Sequence, residues 1–371
     1  MGARRGARAL SRQDGEAGEK RRRMPDGDGS AAPVVAHAGG KQGAFDALHD
    51  ELVVSIFADV AASTDSPADL FTVMLTCRRF RELGQNKPVL ARASLGCVTV
   101  RAGAWCDDAH RFLLRCADAG NVDASYLLGM IRFYCLESRR SGSALIAAAA
   151  LRGHAEALYS LAIIHFNGSG RSKDARNLLA GAQLCARAAS QGHNDALREL
   201  GHCVSDGYGV RRSLSCGRRL LIQANFRELC ATFVTGVPGF AAALGLIGEC
   251  KTLRAHMCLL SDFGCHITGA AVRQAHAANA FLVEWFASRP MGTTSDGALR
   301  LCSQPACGRP ETRQHEFRRC SVCGVVIYCS RACQALHWKA THKNECTRMG
   351  HWLAAANVNA NAVAAAAMAM P

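Results

Sequence analysis

Seven cysteines and one histidine fall as four doublets within the 45 residues from Cys302 to Cys346: Cys302-x4-Cys307, Cys320-x2-Cys323, Cys329-x3-Cys333 and His342-x3-Cys346. Thiolate sulfur and imidazole nitrogen are donors that Zn²⁺ favours, and a structural zinc takes four of them in a closed tetrahedron. Eight donors therefore suit two ions. With every donor used, no coordination position is left for a water, so the chemistry indicated is structural rather than hydrolytic. Two other readings of the same residues stand beside this one. The cysteines could form a disulfide framework. His337 could replace His342 as the nitrogen ligand.

The elements that must hold these donors are small. Cys320 and Cys323 suit a tight knuckle that grips one ion from a single turn. Cys329 and Cys333 are four apart, as are His342 and Cys346, a separation that puts two side chains on one face of a helix. The spacing predicts a short helix over Arg331 to Lys339, with Ser330 as its N-cap. Apolar material is scarce: Phe317, Val322, Val325, Val326, Ile327, Tyr328, Leu336 and Trp338 are most of it. A module so small rarely holds together through its own core. Metal ligation can supply the deficit, about 10 kcal/mol per structural zinc.

At Cys320-Ser-Val-Cys323, Tyr328-Cys329-Ser330, Cys333-Gln334, Trp338 and His342-Lys343-x2-Cys346 the stretch resembles the MYND-type zinc finger. The resemblance implies interleaved doublets. Cys302, Cys307, Cys329 and Cys333 would share one zinc, and Cys320, Cys323, His342 and Cys346 the other. The gap from Cys307 to Cys320 is longer than in many members, and one extra residue precedes His342. The resemblance also implies a protein-binding module, often for proline-rich peptides. A contact surface is expected near Gln334 and Trp338, with a packing role in the finger's small core as the alternative for Trp338.

Around this stretch lies a basic chain of 371 residues, with 44 Lys and Arg against 30 acidic residues and a net charge of +14. That length predicts two or three domains. Residues 1–23 carry eight basic and three acidic residues, and Arg300 to Gly350 nine basic residues and three glutamates. A basic balance permits nucleic-acid contact. No run interleaves Arg or Lys with aromatics, so nucleic acid is not the expected partner. Of the 19 cysteines, those outside the doublets, such as Cys77, Cys116, Cys185 and Cys203, lie in apolar sequence, where a free thiol packs as a small hydrophobe. No apolar segment of the secretory kind stands at the N-terminus. The Ala-rich tail after Leu353 is interrupted by Asn357, Asn359 and Asn361, and alanine is barely apolar enough to span a bilayer. The expected setting is reducing, nucleus or cytoplasm, with no membrane.

Residues 1–41 lack an apolar period and are expected to be disordered. Within them, Lys20-Arg21-Arg22-Arg23 reads either as a nuclear import signal or as a solvated basic run. A helical unit is expected over 42–95. Leu48, Leu52, Ile56 and Val60 recur every four residues. Ser66-Pro67 breaks the pattern and can start a second helix, with Leu70, Val73, Met74, Cys77 and Phe80 as its stripe and Pro88 at its end. At Leu48-His49-Asp50-Glu51-Leu52, Ile56-Phe57 and Leu75-Thr76-Cys77-Arg78-Arg79-Phe80 this unit resembles an F-box, a family that usually has Pro where His49 stands. The resemblance implies that Leu48, Leu52 and Ile56 enter the apolar groove of a cullin-complex adaptor, a helix-in-groove contact. A plain helical hairpin packed on the next domain is the other reading.

Over 101–230 a repeat appears. Ala119-Gly120-Asn121-x2-Ala124-x3-Leu128-Gly129 recurs as Arg152-Gly153-His154-x2-Ala157-x3-Leu161-Ala162 and Gln191-Gly192-His193-x2-Ala196-x3-Leu200-Gly201, at a period of 33 and then 39 residues. The longer second unit can absorb a loop near Ser169 to Lys173. Alanine-rich helices precede the second and third copies, and a last helix is expected over Gly217 to Asn225. Gly and Ala at matched positions let antiparallel helices approach closely, and units that cannot bury a face alone stack into a solenoid. The pattern resembles Sel-one-like repeats, relatives of the tetratricopeptide class, which implies a scaffold or peptide-binding surface. His154 and His193 recur in phase at turns of separate units, which argues against a metal role. Residues 231–300 read as a partly helical connector, with a loop at Gly236-Val-Pro-Gly239 and a short helix over Asn279 to Ala287 anchored by Leu282, Trp285 and Phe286. The finger occupies 301–348, and an Ala-rich, disordered tail is expected over 349–371.

The expected fold is therefore mainly α: F-box helices, an α-solenoid of helical hairpins, and a small two-zinc finger with little regular structure. That order of modules resembles a plant-type family of F-box proteins. It implies a substrate-recruiting subunit of a cullin-type ubiquitin ligase, which binds its targets through repeats and finger and performs no chemistry itself. A scaffold without ligase linkage, for instance a transcriptional co-regulator, is the alternative. No P-loop, nucleophile elbow, Rossmann glycine fingerprint or SET-like cofactor motif supports an enzyme.

Overall fold

The computed structural model describes residues 45, 47–234, 259–263, 275–289, 293–294 and 297–348. The chain divides into two compact units at Leu48. In the first, Phe45 and Ala47 are described, both in turns. Every element below belongs to the second. The readings placed on residues 1–41 and 349–371, and on Gly236 to Gly239, lie outside the described residues.

Five short helices come first: α1 (Asp50–Ser63), α2 (Pro67–Leu75), α3 (Arg78–Leu83), α4 (Lys87–Arg92) and α5 (Leu95–Val98). Ser66 caps α2, its side chain accepting from Ala68 N–H at 3.2 Å. The stripe expected to run from Leu70 to Phe80 is broken at Cys77, which is exposed and caps α3 through its sulfur. Pro88, expected to close the unit, instead stands in the first turn of α4, where its missing N–H costs nothing. In α1 the buried face is Val53, Phe57, Ala58 and Ala61. The four-residue stripe of Leu52 and Ile56 points away from it and stays in solvent, 53% and 39% exposed. Leu48 is half-buried.

Three helical hairpins follow: α6 (Asp107–Asp118) with α7 (Val122–Met130), α8 (Arg139–Leu151) with α9 (Ala155–Asn167), and α10 (Leu178–Ser190) with α11 (Asn194–Asp206). α12 (Leu214–Val234) closes the array; it is longer at both ends than the helix expected over Gly217 to Asn225. Each hairpin turns at a glycine with φ between +85° and +99°, Gly120, Gly153 or Gly192, a region open to glycine at little cost. The residue after it caps the second helix. Asn121 Oδ1 accepts from Ala124 N–H at 2.8 Å, and the Nδ1 atoms of His154 and His193 accept from Ala157 and Ala196 N–H, each at 3.1 Å. The helices cross closely where glycines meet: a Cβ on Gly142 would lie 2.5 Å from Phe133 N and 2.8 Å from Gly129 O.

The capping side chains also join neighbouring units. With Nδ1 accepting, a neutral imidazole carries its proton on Nε2. His154 Nε2 meets Asp123 Oδ1 at 3.1 Å, and His193 Nε2 meets Glu156 Oε2 at 2.9 Å. Each histidine thus caps its own helix and reaches back to an acid in the unit before. In the first unit the preceding neighbour is α4, whose end offers carbonyls, and the residue is an amide: Asn121 Nδ2 donates to Leu90 O at 3.2 Å and Ala93 O at 2.7 Å.

α13 (Ala277–Ser288) is more than a connector. Phe281 and Leu282 are its buried anchors, while Trp285 and Phe286 are half-buried. Glu284 accepts from Ala102 N–H at 3.1 Å and Gly103 N–H at 3.3 Å, which ties α13 to the front of the array. Strands β1 (Thr293–Thr294) and β2 (Gly297–Ala298) pair antiparallel, as do β3 (Arg318–Arg319) and β4 (Ile327–Tyr328). The chain then ends its described part in α14 (Arg331–His337), a π-helical turn over Trp338–His342, and the single turn α15 (Lys343–Glu345).

Candidate metal centres

The structure gathers the eight predicted donors into two groups. Cys302, Cys307, Cys329 and Cys333 form one, Cys320, Cys323, His342 and Cys346 the other, and within each the donor atoms all lie within 4.8 Å of one another. The doublets therefore interleave. In the first group Cys307 Sγ is 3.6 Å from Cys329 Sγ, which is 3.5 Å from Cys333 Sγ. In the second, Cys320 Sγ is 3.9 Å from Cys346 Sγ, and Cys323 Sγ is 3.6 Å from His342 Nε2. Zinc–sulfur bonds of about 2.3 Å in a tetrahedron put sulfurs about 3.8 Å apart. The donor sets fit two zinc ions on this ground. The same separations are far too long for S–S bonds, and all seven cysteines are free. His337 is elsewhere: its Nδ1 meets the Tyr328 hydroxyl at 2.9 Å, and its ring stacks on that of His342.

Local sequence explains how the donors are presented. Cys302 and Cys307 sit on a loop closed by Cys302 N–H to Arg309 O at 2.9 Å and by the bridge between Leu301 and Pro310. Cys320 and Cys323 turn between β3 and β4, with Cys320 N–H donating to Val326 O at 3.0 Å. Ser330 caps α14 as the sequence predicts, accepting from Cys333 N–H at 3.1 Å. α14 ends two residues short of the predicted Lys339, because the backbone passes into the π turn that carries His342.

The finger does not stand apart from the repeats. Tyr159 of α9 donates to Ser330 Oγ at 3.1 Å, and Asn167 Nδ2 to Cys329 O at 2.9 Å. Arg309 donates to Ser160 Oγ at 2.8 Å and to Cys307 Sγ at 3.5 Å. Burial disfavours the Arg309 charge, but the sulfurs of Cys307 and Cys329 outweigh it and hold its pKa well above the usual guanidinium value. Glu199 of α11 accepts from the first N–H groups of α14, Arg331 at 2.8 Å and Ala332 at 3.2 Å, where the helix dipole favours a carboxylate. Burial raises the Glu199 pKa, and Arg331 and these donors pull it back. Beyond it, Glu228 of α12 accepts from both Arg198 and Lys339 at 2.5 Å. One side of the repeat array, formed by residues of α9, α11 and α12, is thus packed against the chain's own finger.

Sequence reasoning missed these supports. Tyr126 and Tyr159 are 33 residues apart and Arg198 follows 39 later, in phase with the repeat. That register could have marked the ladder, but nothing local says that a finger covers it. Asp262 and Phe263 were equally silent: Asp262 O accepts from Arg198 at 3.3 Å, and the Phe263 ring lies 6.2 Å from that of Trp338. Trp338 also meets His342 edge-on at 5.8 Å, a packing role, and with Gln334 it is half-buried.

Comparison with known proteins agrees with this architecture. Residues 99–180 match the family model for plant tetratrico peptide repeats, and residues 302–346 match that for the MYND finger. Two curated Arabidopsis thaliana proteins are similar over most of their length. F-box protein At1g67340 is 51% identical over 341 residues, covering 91% of this chain and 89% of the relative. F-box protein At5g50450 is 51% identical over 316 residues, covering 84% and 88%. Among solved structures, a Sel1 repeat protein from Oxalobacter formigenes matches at TM-score 0.33 and 17% identity, over 44% of this chain and 69% of that one. The protective antigen c5321 of uropathogenic Escherichia coli, displaying an SLR fold, matches at 0.36 and 18%, over 67% and 50%. With its helical repeats and two-zinc MYND finger, the chain belongs to the family of these plant F-box proteins.

Proposed function

We propose that this protein is the substrate-recruiting subunit of a cullin-type ubiquitin ligase. It performs no chemistry itself; it raises the effective concentration of a target beside the ubiquitin-loaded partner. The observation that carries the reading is α1. Its inner face is spent on the core, yet Leu52 and Ile56 remain exposed on the opposite side, a stripe suited to an adaptor's apolar groove. Arg79 supports the start of this helix, donating to Leu48 O at 2.6 Å and to Asp50 Oδ1 at 2.9 Å.

In this reading Cys302, Cys307, Cys329 and Cys333 hold one structural zinc, and Cys320, Cys323, His342 and Cys346 the second. Since the finger covers the repeat ladder, target contact by these two modules falls at their seam. There a cleft of about 210 Å³ is lined by Glu156, Asp195, His276 and Gln304 among others. A proline-rich segment against Gln334 and Trp338 is one candidate target.

The test uses the full-length chain, because Asn121 bonds the end of α4 and the helices before it are not independent of the repeats. Immobilised adaptor should retain the wild type and release Leu52→Asp. Equal recovery of both, or of neither, discards the ligase reading and leaves a scaffold without ligase linkage. Metal analysis should return about two zinc ions per chain, and Cys323→Ser about one.

A further inference from the structure

Phe71 is a large aromatic that the core leaves outside. α2 buries Leu70 and Met74, while Phe71 on its outer side is 37% exposed. α6 brings Phe112 against it, with ring centroids 5.0 Å apart. A groove of about 470 Å³ runs between the two helices, a volume within the range of built binding pockets. Pro67, Phe71 and Met74 line it from α2 at the i, i+4, i+7 spacing of one helix face, and Leu90 and Val100 extend the apolar lining.

Besides Phe112, α6 contributes Ala109 and three charged residues to the lining. Arg111, Arg115 and Asp108 all border the groove. Asp108 pairs with Arg111 at 2.5 Å, but both side chains are largely exposed, so that pair is weak in water. Among the described residues Arg115 donates to a neutral group, Gln85 Oε1, at 2.6 Å. Two guanidinium groups against one carboxylate leave the lining net positive; Asp107, outside it, also acts on Arg111, so Arg115 carries the uncompensated charge. Such a field speeds the approach of an acidic partner and repels a basic one.

We propose that this groove docks a segment of the recruited target in which a leucine or aromatic anchor is flanked by aspartate or glutamate. The anchor covers Phe71 and Met74, and the acid reaches Arg115 or Arg111. The proposal rests on the receptor reading only in calling the occupant a target. The groove shares no lining residue with the exposed stripe of α1, so adaptor capture and peptide capture are separable.

The test is selection of a displayed library of random dodecapeptides on the full-length, zinc-loaded chain. Enriched sequences should pair a leucine or aromatic residue with acids. Synthetic peptides of that kind should bind Phe71→Glu and Arg115→Glu at least about tenfold more weakly, while both variants keep the wild-type thermal midpoint and adaptor capture. Leu52→Asp should bind these peptides as the wild type does. No enrichment, enrichment of basic sequences, or binding that survives Phe71→Glu would overturn the proposal. So would peptide binding lost together in Leu52→Asp and Phe71→Glu, since the groove would then be part of the adaptor face. If Phe71→Glu unfolds, Arg115→Glu alone decides.

Discussion

His49 stands where the F-box family usually has proline, and its backbone lies at φ −63°, ψ 146°. That is the φ a proline ring imposes. No side-chain cap is made by His49, and its N–H donates no hydrogen bond among the described residues. The geometry that the family's proline sets up is thus kept without it. His49→Pro should raise stability by about 0.4–1 kcal/mol, mainly by restricting the unfolded chain, as read from the denaturation midpoint; a destabilised variant would show that the α1 start needs the freedom of a non-proline residue. His202 offers a second test at this scale. It is buried beside the finger, and desolvation first, then Arg331 and Arg198, lower its pKa to about 3. The folded state therefore binds fewer protons than the unfolded chain as pH falls from about 6.5. The stability that neutral His202 provides is full above that pH and is lost as pH drops toward 3. Relative to His202→Leu, the wild type should lose roughly 1–2 kcal/mol more between pH 7 and 5; parallel pH profiles would refute the assignment.

At the scale of elements, small geometric devices decide whether the donors meet. The π turn over Trp338–His342 holds one residue more than an α-helical turn, which is how the extra residue before His342 is absorbed without displacing it. Ala340 is exposed within that turn. Deleting Ala340 should restore a regular helix and leave two zinc ions per chain; loss of one ion would mean that the wide turn itself aims the imidazole. Gly308 follows Cys307 at φ +67°, and a Cβ there would stand 2.6 Å from Val283 N in α13. Gly308→Ala should therefore cost about 1–3 kcal/mol, seen as a lower thermal midpoint, while Gly103→Ala, whose Cβ would meet only Glu284 at 3.5 Å, should be near neutral.

At the scale of the whole molecule, finger and repeats behave as one folded body. Tyr159, Ser160, Glu199 and Glu228 all spend their polar atoms on the finger, and a buried group left without its partner costs about 1–3 kcal/mol. Zinc bound at the finger consequently stabilises the repeats. Stripping the metal with a chelator should lower the melting of the entire helical signal by more than about 5 °C. An unchanged helical transition in metal-free protein would show that the two parts fold separately. Acid should act in the same direction, because thiolates and imidazole must be deprotonated to hold zinc.

What could be read from the sequence was what depends on neighbours along the chain. Donor identity and spacing, the Ser330 cap, the glycine turns and the repeat period are local, because each is set by residues within a helical turn or one hairpin of each other. The helix-facing choice on α1 is not local: Leu52 and Val53 are both apolar, and only packing against the helices that follow decides that Val53 is buried and Leu52 is not. The same holds for α13 and for Asp262 and Phe263, whose partners lie far away in sequence. Above all, only the tertiary structure could show that the repeat ladder is filled from within. A buried Arg198 or Glu199 reads in sequence as a surface charge, because burying it becomes affordable only when partners from distant segments are brought to it.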